Sequence, residues 1–198
     1  PMFTCPFTSR QTRYLAKTDD GRIAAGEEIV KCEVTSKRVL TEETVICKAT
    51  GKRICKDLSV ICPASGDTVW KDMLTACKKC GMKVGSHTIS HGKCHLCRNL
   101  KHVDKKHPVV AQLIERCPDL GLWRSWSLAE GSDTILVLAS GWVKQMLIVL
   151  DRETLQPQRT IESGKLLGEW SDIKLKFSPA CEIPKSHAPF HENPKVNN

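Results

Sequence analysis

The sequence predicts an α+β fold, mostly β: tandem small β-hairpins with cysteine knuckles and a cysteine ribbon, then a small antiparallel sheet with one packed helix. Three observations predict it. Cysteines recur every 15 residues, at Cys32, Cys47, Cys62 and Cys77. Two C-x-x-C pairs, Cys77/Cys80 and Cys94/Cys97, close the cysteine-rich half. Beyond residue 106 the apolar residues follow first a helical and then a strand-length period.

The repeats read CEVTSKRVLTEETVI, CKATGKRICKDLSVI and CPASGDTVWKDMLTA, then CKKCGMKV, with an earlier copy, CPFTSR, at Cys5 and a gap of 27 residues after it. Each unit opens a turn with cysteine and places Thr or Ser three positions on. Gly or Ser follows, then usually a basic residue and two short apolar runs. Apolar pairs flanking a Gly-containing turn suit a β-hairpin rather than a helix. Such hairpins are too small to bury their own faces, so stacking against neighbours has to supply the core.

In the last unit the threonine is a cysteine. Cys77-x2-Cys80 and Cys94-x2-Cys97 can present four thiolates at the corners of a tetrahedron, which is what zinc prefers. Gly81 and Gly92 beside the pairs suit tight knuckle backbone. The pattern predicts a closed four-cysteine zinc site with no position left for catalysis, at one Zn2+ per chain. His87, His91 and His95 lie in or beside this ribbon and read as loop or phosphate-facing residues. The single cysteines admit two readings. Cys5, Cys32, Cys47 and Cys62 either share a second zinc or are small buried residues in turns capped by the threonine hydroxyl. Cys55 is open to the same two readings, and Cys117 and Cys181 fall outside any pattern.

The segment HPVVAQLIERCPDLG has helical spacing, Pro108 in its first turn and Pro118 as its stop. Strand-length apolar runs follow, with turn signals near 130–133, 140–141 and 151–154. Three or four antiparallel strands with the helix on one face are expected, with 143–150 as a central strand. Trp123, Trp126, Trp142 and Trp170 are expected mainly to fill this core. The chain thus divides into hairpin repeats over 1–76, the four-cysteine zinc ribbon over 77–105, a small α+β domain over 106–177 and an extended or mobile tail over 178–198.

Charge is uneven. Residues 1–105 carry 19 basic and 11 acidic side chains, whereas 106–198 carry 11 of each. The whole excess of +8 lies with the cysteine turns. A concentrated basic face is the footprint of a nucleic-acid binder. The contact residues expected are Arg10, Lys37, Arg38, Lys52 and Arg53 along the hairpin tips, with Lys78, Lys79, Lys83, Lys93 and Arg98 around the ribbon. They would position phosphates without reading sequence. No apolar run approaches a membrane span and no secretory signal is visible, so a cytoplasmic protein without membrane contact is expected. No phosphate-binding glycine loop, H-E-x-x-H or G-x-S-x-G is present, so an enzyme is not expected.

The turns at 32–37 and 47–52 resemble the knuckle near the start of a small bacterial large-subunit ribosomal protein. More broadly, the tandem knuckle units, the ribbon ending KCHLCRNLKHVDKKHP and the run LWRSWSLAE…VLASGWVKQMLIVLDRETLQP resemble a C-terminal region of large bacterial, planctomycete-like proteins related to Swi/Snf or DEAD-box helicases. That resemblance implies an accessory zinc module acting with a helicase or ATP-driven translocase, whose Walker A motor sequence is not in this chain. Ser65-Gly66-Asp67 departs from the Thr-Gly-Lys form and interrupts any basic row. The expected function is a non-enzymatic, zinc-stabilised module for binding the phosphate backbone. The alternative is a protein–protein docking scaffold in which the lysines only face solvent.

Overall fold

The computed structural model describes residues 2–165 and 168–175. The tail expected over 178–198, with Cys181, lies outside the described residues. The fold is mostly β, as expected, with one helix packed on an antiparallel sheet and a series of hairpins before it.

The hairpins straddle the cysteine turns. Strands β1 (Phe3–Thr4) and β2 (Gln11–Thr12) flank the Cys5 turn, and β5 (Ile29–Lys31) and β6 (Arg38–Leu40) flank Cys32. Between them, β3 (Leu15–Lys17) pairs with β4 (Ile23–Ala25). Strands β7 (Thr44–Ile46) and β8 (Arg53–Cys55) flank Cys47, and β9 (Ser59–Ile61) and β10 (Thr68–Trp70) flank Cys62. Strands β11 (Leu74–Ala76) and β12 (Lys83–Gly85) enclose Cys77 and Cys80. The polar step within each 15-residue unit is a 3-10 turn, such as Thr41–Glu43 or Lys56–Leu58, that passes the chain from one hairpin to the next.

The 27-residue gap is filled by the β3–β4 hairpin, whose turn opens with Thr18 where the other units have cysteine. Thr18 is buried, its amide donates to the Arg22 carbonyl at 2.9 Å, and its hydroxyl oxygen accepts from the Arg22 amide at 3.0 Å. Gly21 takes a positive φ of 97° in this turn, the conformation glycine adopts without a Cβ clash.

One recurring bond joins successive units. The amide after the turn residue donates to the carbonyl that starts the next hairpin's outgoing strand: Asp19 to Arg38 at 3.0 Å, Glu33 to Arg53 at 2.8 Å and Lys48 to Thr68 at 2.9 Å. Pro63, after Cys62, has no N–H to give. Its carbonyl instead accepts from the Asp133 amide at 3.1 Å. A Cβ on Gly131 would come within 2.9 Å of the Pro63 and Ala64 carbonyls, so only glycine lets the second half approach here.

After β13 (Ile89–Ser90) and β14 (Lys93–Cys94), the short helix α1 (His95–Arg98) leads into β15 (Lys101–Val103). Helix α2 (Pro108–Arg116) begins at the expected proline and gives way to a 3-10 turn at Pro118. The sheet then runs as a meander: β16 (Ser125–Glu130), β17 (Thr134–Ser140), β18 (Lys144–Asp151), β19 (Pro157–Gly164) and β20 (Ser171–Asp172). It has six strands with β15 on the outer edge, where three or four were expected. The extra edge strands are short and polar, so they carry no apolar signal.

The sheet is covered on both faces, which is why its strands read as continuous apolar runs. Along β18 the side chains alternate. Met146, Ile148 and Leu150 join Val110, Leu113 and Trp126 beneath α2. Leu147 and Val149 face the other way and share a core with Ile54, Val69, Val84, Leu96 and the cysteines at 47, 62, 77, 80, 94 and 97. The knuckle array from Cys47 onward is therefore one lid of the sheet, while Cys5, Ala24, Ala25 and Leu40 form a small core of their own. Each fully buried Leu or Ile here is worth about 1.5–3 kcal/mol of transfer free energy.

Candidate metal centre

Cys77, Cys80, Cys94 and Cys97 are all buried, and their sulfurs lie within 4.8 Å of one another. Cys77 and Cys97 are 3.7 Å apart and Cys80 and Cys94 3.8 Å apart. This group can hold a metal ion, and it is the only such cluster of three or more His, Cys, Asp or Glu among the described residues. The two pairs are built differently. Cys77 and Cys80 belong to the hairpin turn, where the Cys77 amide donates to the Met82 carbonyl at 2.9 Å and the Gly81 amide to the Cys77 carbonyl at 2.8 Å. Cys94 stands at the N-cap of α1 and Cys97 lies in its single turn, so the second pair opens a helix rather than a facing hairpin.

Contact with Cys94, together with burial, pushes the Cys80 thiol up to about 12. Contact with Cys80 and Cys94, and burial, push Cys97 up as well. Four sulfurs packed this closely cannot all ionise against one another. A bound cation removes that obstacle, since a coordinating thiol is deprotonated outright.

The sheet supports the knuckle from outside. Arg159 on β19 donates from Nη1 to the Cys80 carbonyl at 3.1 Å. Asp172 on β20 holds the same guanidinium through Nε and Nη2, at 2.7 and 3.0 Å. Neither residue carries a sequence signal, because Arg159 is 79 positions from Cys80.

In the single-cysteine turns other groups surround the sulfur. In the Cys5, Cys32 and Cys47 turns, the hydroxyl of Thr8, Thr35 or Thr50 helps hold the cysteine thiol below its ordinary value. The Thr35 and Thr50 oxygens also accept from the amides of Lys37 and Lys52, at 3.4 and 3.3 Å. From the far side each of three sulfurs receives an amide of a later hairpin: Ala25 to Cys5 at 3.3 Å, Trp70 to Cys47 at 3.2 Å and Gly85 to Cys62 at 3.3 Å. In the complete knuckle the same contact runs from the Cys94 amide to Cys77 at 3.3 Å. Cys5, Cys32, Cys47 and Cys62 thus sit in four separate turns. The structure does not bring them together as a second metal site, because each sulfur is already enclosed by donors of its own turn and its neighbours. Burial opposes ionisation of Cys47, yet the Thr50 hydroxyl and the Trp70, Thr50 and Ala49 amides hold its thiol below the ordinary value.

The histidines take no part in the sulfur cluster. His87 pairs through Nε2 with Asp67 at 2.9 Å, and His91 occupies the β13–β14 turn with a positive φ of 49°.

The expected basic residues fall into two groups. Lys37, Lys52, Lys83 and Lys93 are exposed, and Lys52, Lys83 and Lys93 make no ion pair among the described residues. Lys78 is also exposed and lies along Gly92 of the next turn. Arg10 is exposed at the first hairpin. The remaining four are engaged. Arg38 pairs with Asp19 at 3.3 Å, Arg53 donates to the Thr44 hydroxyl at 3.2 Å and Arg98 to the Thr88 carbonyl at 3.3 Å. The Lys79 ammonium lies 5.8 Å from the Trp170 ring centre. Of the other tryptophans Trp126 is buried beneath α2, Trp123 packs at its edge, and Trp142 is exposed with the Arg124 guanidinium 3.6 Å from its ring centre.

Fold and site together define a tandem β-hairpin protein whose last knuckle carries a four-cysteine group able to bind a metal ion. Comparison with protein-family models, with curated proteins and with solved structures gives no match to this chain. No described helix is long and apolar enough to cross a membrane.

Proposed function

We propose that the chain is a non-enzymatic, zinc-stabilised module that binds the phosphate backbone of nucleic acid. The sulfur geometry fits zinc. A tetrahedron with Zn–S bonds of about 2.3 Å has S–S edges of about 3.8 Å, and the two contacts here are 3.7 and 3.8 Å. Four thiolates complete the shell and leave no open position, so the ion's role is to fasten the knuckle to α1.

The observation that carries the nucleic-acid reading is the repeat register of the exposed lysines. Lys37 and Lys52 occupy the same position in successive turns, and Lys83 stands where Arg38 and Arg53 begin their strands. Because the same amide-to-carbonyl bond joins successive hairpins, equivalent residues recur along the array as they do in other repeat proteins. Long, unpaired ammonium groups spaced along an array suit a polyanion, which they position without sequence readout. The resemblance to helicase-related regions supports an ATP-driven translocase as the partner of this module.

A protein-docking scaffold is the second reading, and Ile46 and Ile61 favour it. They occupy equivalent strand positions and are 52% and 48% exposed. Fluorescence anisotropy with labelled single-stranded and duplex oligonucleotides across a salt series separates the two. With about four to five phosphates contacted, log K for a single strand falls against log salt with a slope of about −3. The variant K37E/K52E/K83E/K93E loses binding at all salts. Absence of binding at low salt, or binding that neither salt nor the variant alters, overturns the nucleic-acid reading and leaves docking.

A further inference from the structure

Trp142 stands apart from the other tryptophans. Those four belong to the two main cores or pack against them. Trp142 instead sits in the turn between β17 and β18 and is 77% exposed, and Val143 beside it is 70% exposed. The tip lies at the opposite end of β17 from Asp133, whose amide meets Pro63 of the hairpin array. Backbone bonds fasten this turn. The Gly141 amide donates to the Lys144 carbonyl at 2.9 Å, the Arg124 amide to the Ser140 carbonyl at 3.1 Å and the Lys165 amide to the Val143 carbonyl at 2.8 Å. A Cβ on Gly141 would lie 3.5 Å from the Trp123 ring, so that ring packs against the turn.

A cation lies on the ring. The Arg124 guanidinium is 3.6 Å from the Trp142 ring centre. With that face covered and the residue still 77% exposed, the opposite face of the indole is open to solvent. Lys165 is exposed and makes no ion pair among the described residues. The carboxylate nearest in the strand pairing, Glu162, is held by Lys144 at 2.5 Å. The adjoining stretches add Asp104, Asp119 and Glu169 against Lys105 and Lys106, which leaves this end of the sheet positive.

We propose that the Trp142 tip is a base-stacking site for single-stranded nucleic acid, in which a base lies on the open indole face and the adjoining phosphates meet Arg124 and Lys165. The inference rests on the nucleic-acid reading above and adds to it a place and a substrate class, a strand whose bases are unpaired. Every base has a π-face, so an exposed ring beside cations takes single strands without reading sequence. In a duplex the bases are already stacked on one another and do not reach the ring. A lipid layer is the other partner that an exposed Trp–Val tip suits, but inserting it would carry the Arg124 charge out of water at high cost. A nucleotide uses both halves of the pair, its base on the ring and its phosphate at the cation. Because the turn is already fixed, binding has little to order there.

The test measures binding of the purified full chain, at low salt, to a labelled thymidine strand, to a strand of abasic sites of the same length and to a duplex. The two single strands carry the same phosphates and differ only in their bases. The wild type is expected to bind the thymidine strand about 10-fold more tightly than the abasic one. Trp142→Ala removes that preference and leaves abasic and duplex binding unchanged, and Trp142→Phe keeps part of it. Circular dichroism confirms that the variants are folded, and the wild-type preference is informative without them. Equal binding of both single strands by the wild type, an unaltered preference in Trp142→Ala, or an equal loss on all three ligands overturns this inference and leaves the phosphate-backbone reading standing. Absence of binding to all three overturns both. Capture of the wild type but not of Trp142→Ala by phosphatidylserine vesicles, without a thymidine preference, overturns it in favour of a membrane.

Discussion

Arg159 donates to the carbonyl of Cys80 across 79 residues of sequence, at 3.1 Å, and so ties the meander sheet to the knuckle. Its planar guanidinium serves two partners at once, the carbonyl and the Asp172 carboxylate. Groups that hold metal ligands from outside typically carry about 10–100-fold in metal affinity. Arg159→Ala is therefore expected to weaken zinc binding by about 10-fold, read by competition with a chromogenic chelator. Arg159→Lys keeps the charge but not the fork and should fall between the two.

Gly81 and Gly51 form a matched pair. Both have positive φ, 74° and 72°, at equivalent turn positions. A Cβ at Gly51 meets nothing within 4 Å, whereas one at Gly81 would overlap the Arg159 guanidinium. Gly51→Ala should cost only the left-handed backbone penalty, about 1–2 kcal/mol. Gly81→Ala should cost more and also lower metal affinity, because Arg159 must leave. Urea unfolding of both variants with and without chelator checks this. Equal costs would mean that the Arg159 contact contributes nothing.

The threonine of the incomplete knuckle has a measurable role. Thr50→Val removes the hydroxyl that helps hold the Cys47 thiol down and accepts from the Lys52 amide, while keeping side-chain shape. A loss of about 0.5–1.5 kcal/mol is expected, with metal content unchanged. Thermal and denaturant unfolding measure the first, and elemental analysis the second.

The Asp67–His87 pair, at 2.9 Å, links the Cys62 turn to the 3-10 turn Ser86–Thr88 that follows the Cys77 hairpin. The hydrogen bond to His87, then that to Ser65, holds the Asp67 carboxyl below its ordinary value. A carboxyl depressed by folding binds fewer protons in the native state. Its contribution is therefore complete above the ordinary carboxylate range and is lost as pH falls through the lowered folded value. Both side chains are partly exposed, so the effect is small and weakens with salt. Asp67→Asn should flatten that part of the stability–pH curve, measured by unfolding between about pH 3 and pH 7, the neutral side of the carboxylate range.

Much of this was legible in spacing. The 15-residue recurrence located the Cys32, Cys47, Cys62 and Cys77 turns, and the doubled C-x-x-C located the sulfur cluster. What spacing hid has physical causes. The Thr18 hairpin was invisible because a hydroxyl does there what a thiol does elsewhere, leaving no cysteine to count. The second C-x-x-C begins at the end of β14 and runs into α1, a strand-to-helix step that the spacing alone does not signal. The Arg159–Asp172 support depends on which units stack, and sequence separation does not reveal that. Arg38 and Arg53, expected at a free basic edge, are instead turned onto Asp19 and Thr44, so the unpaired charge rests on lysines.

On the proposed function, one complete knuckle holds one ion while its relatives hold none. Elemental analysis of the purified chain by mass spectrometry, with Cys80→Ser beside it, tests this most directly. One zinc per wild-type chain, none in the variant, and loss of fold on chelation are expected. Two ions per chain, or a chain that stays folded and metal-free, would contradict it.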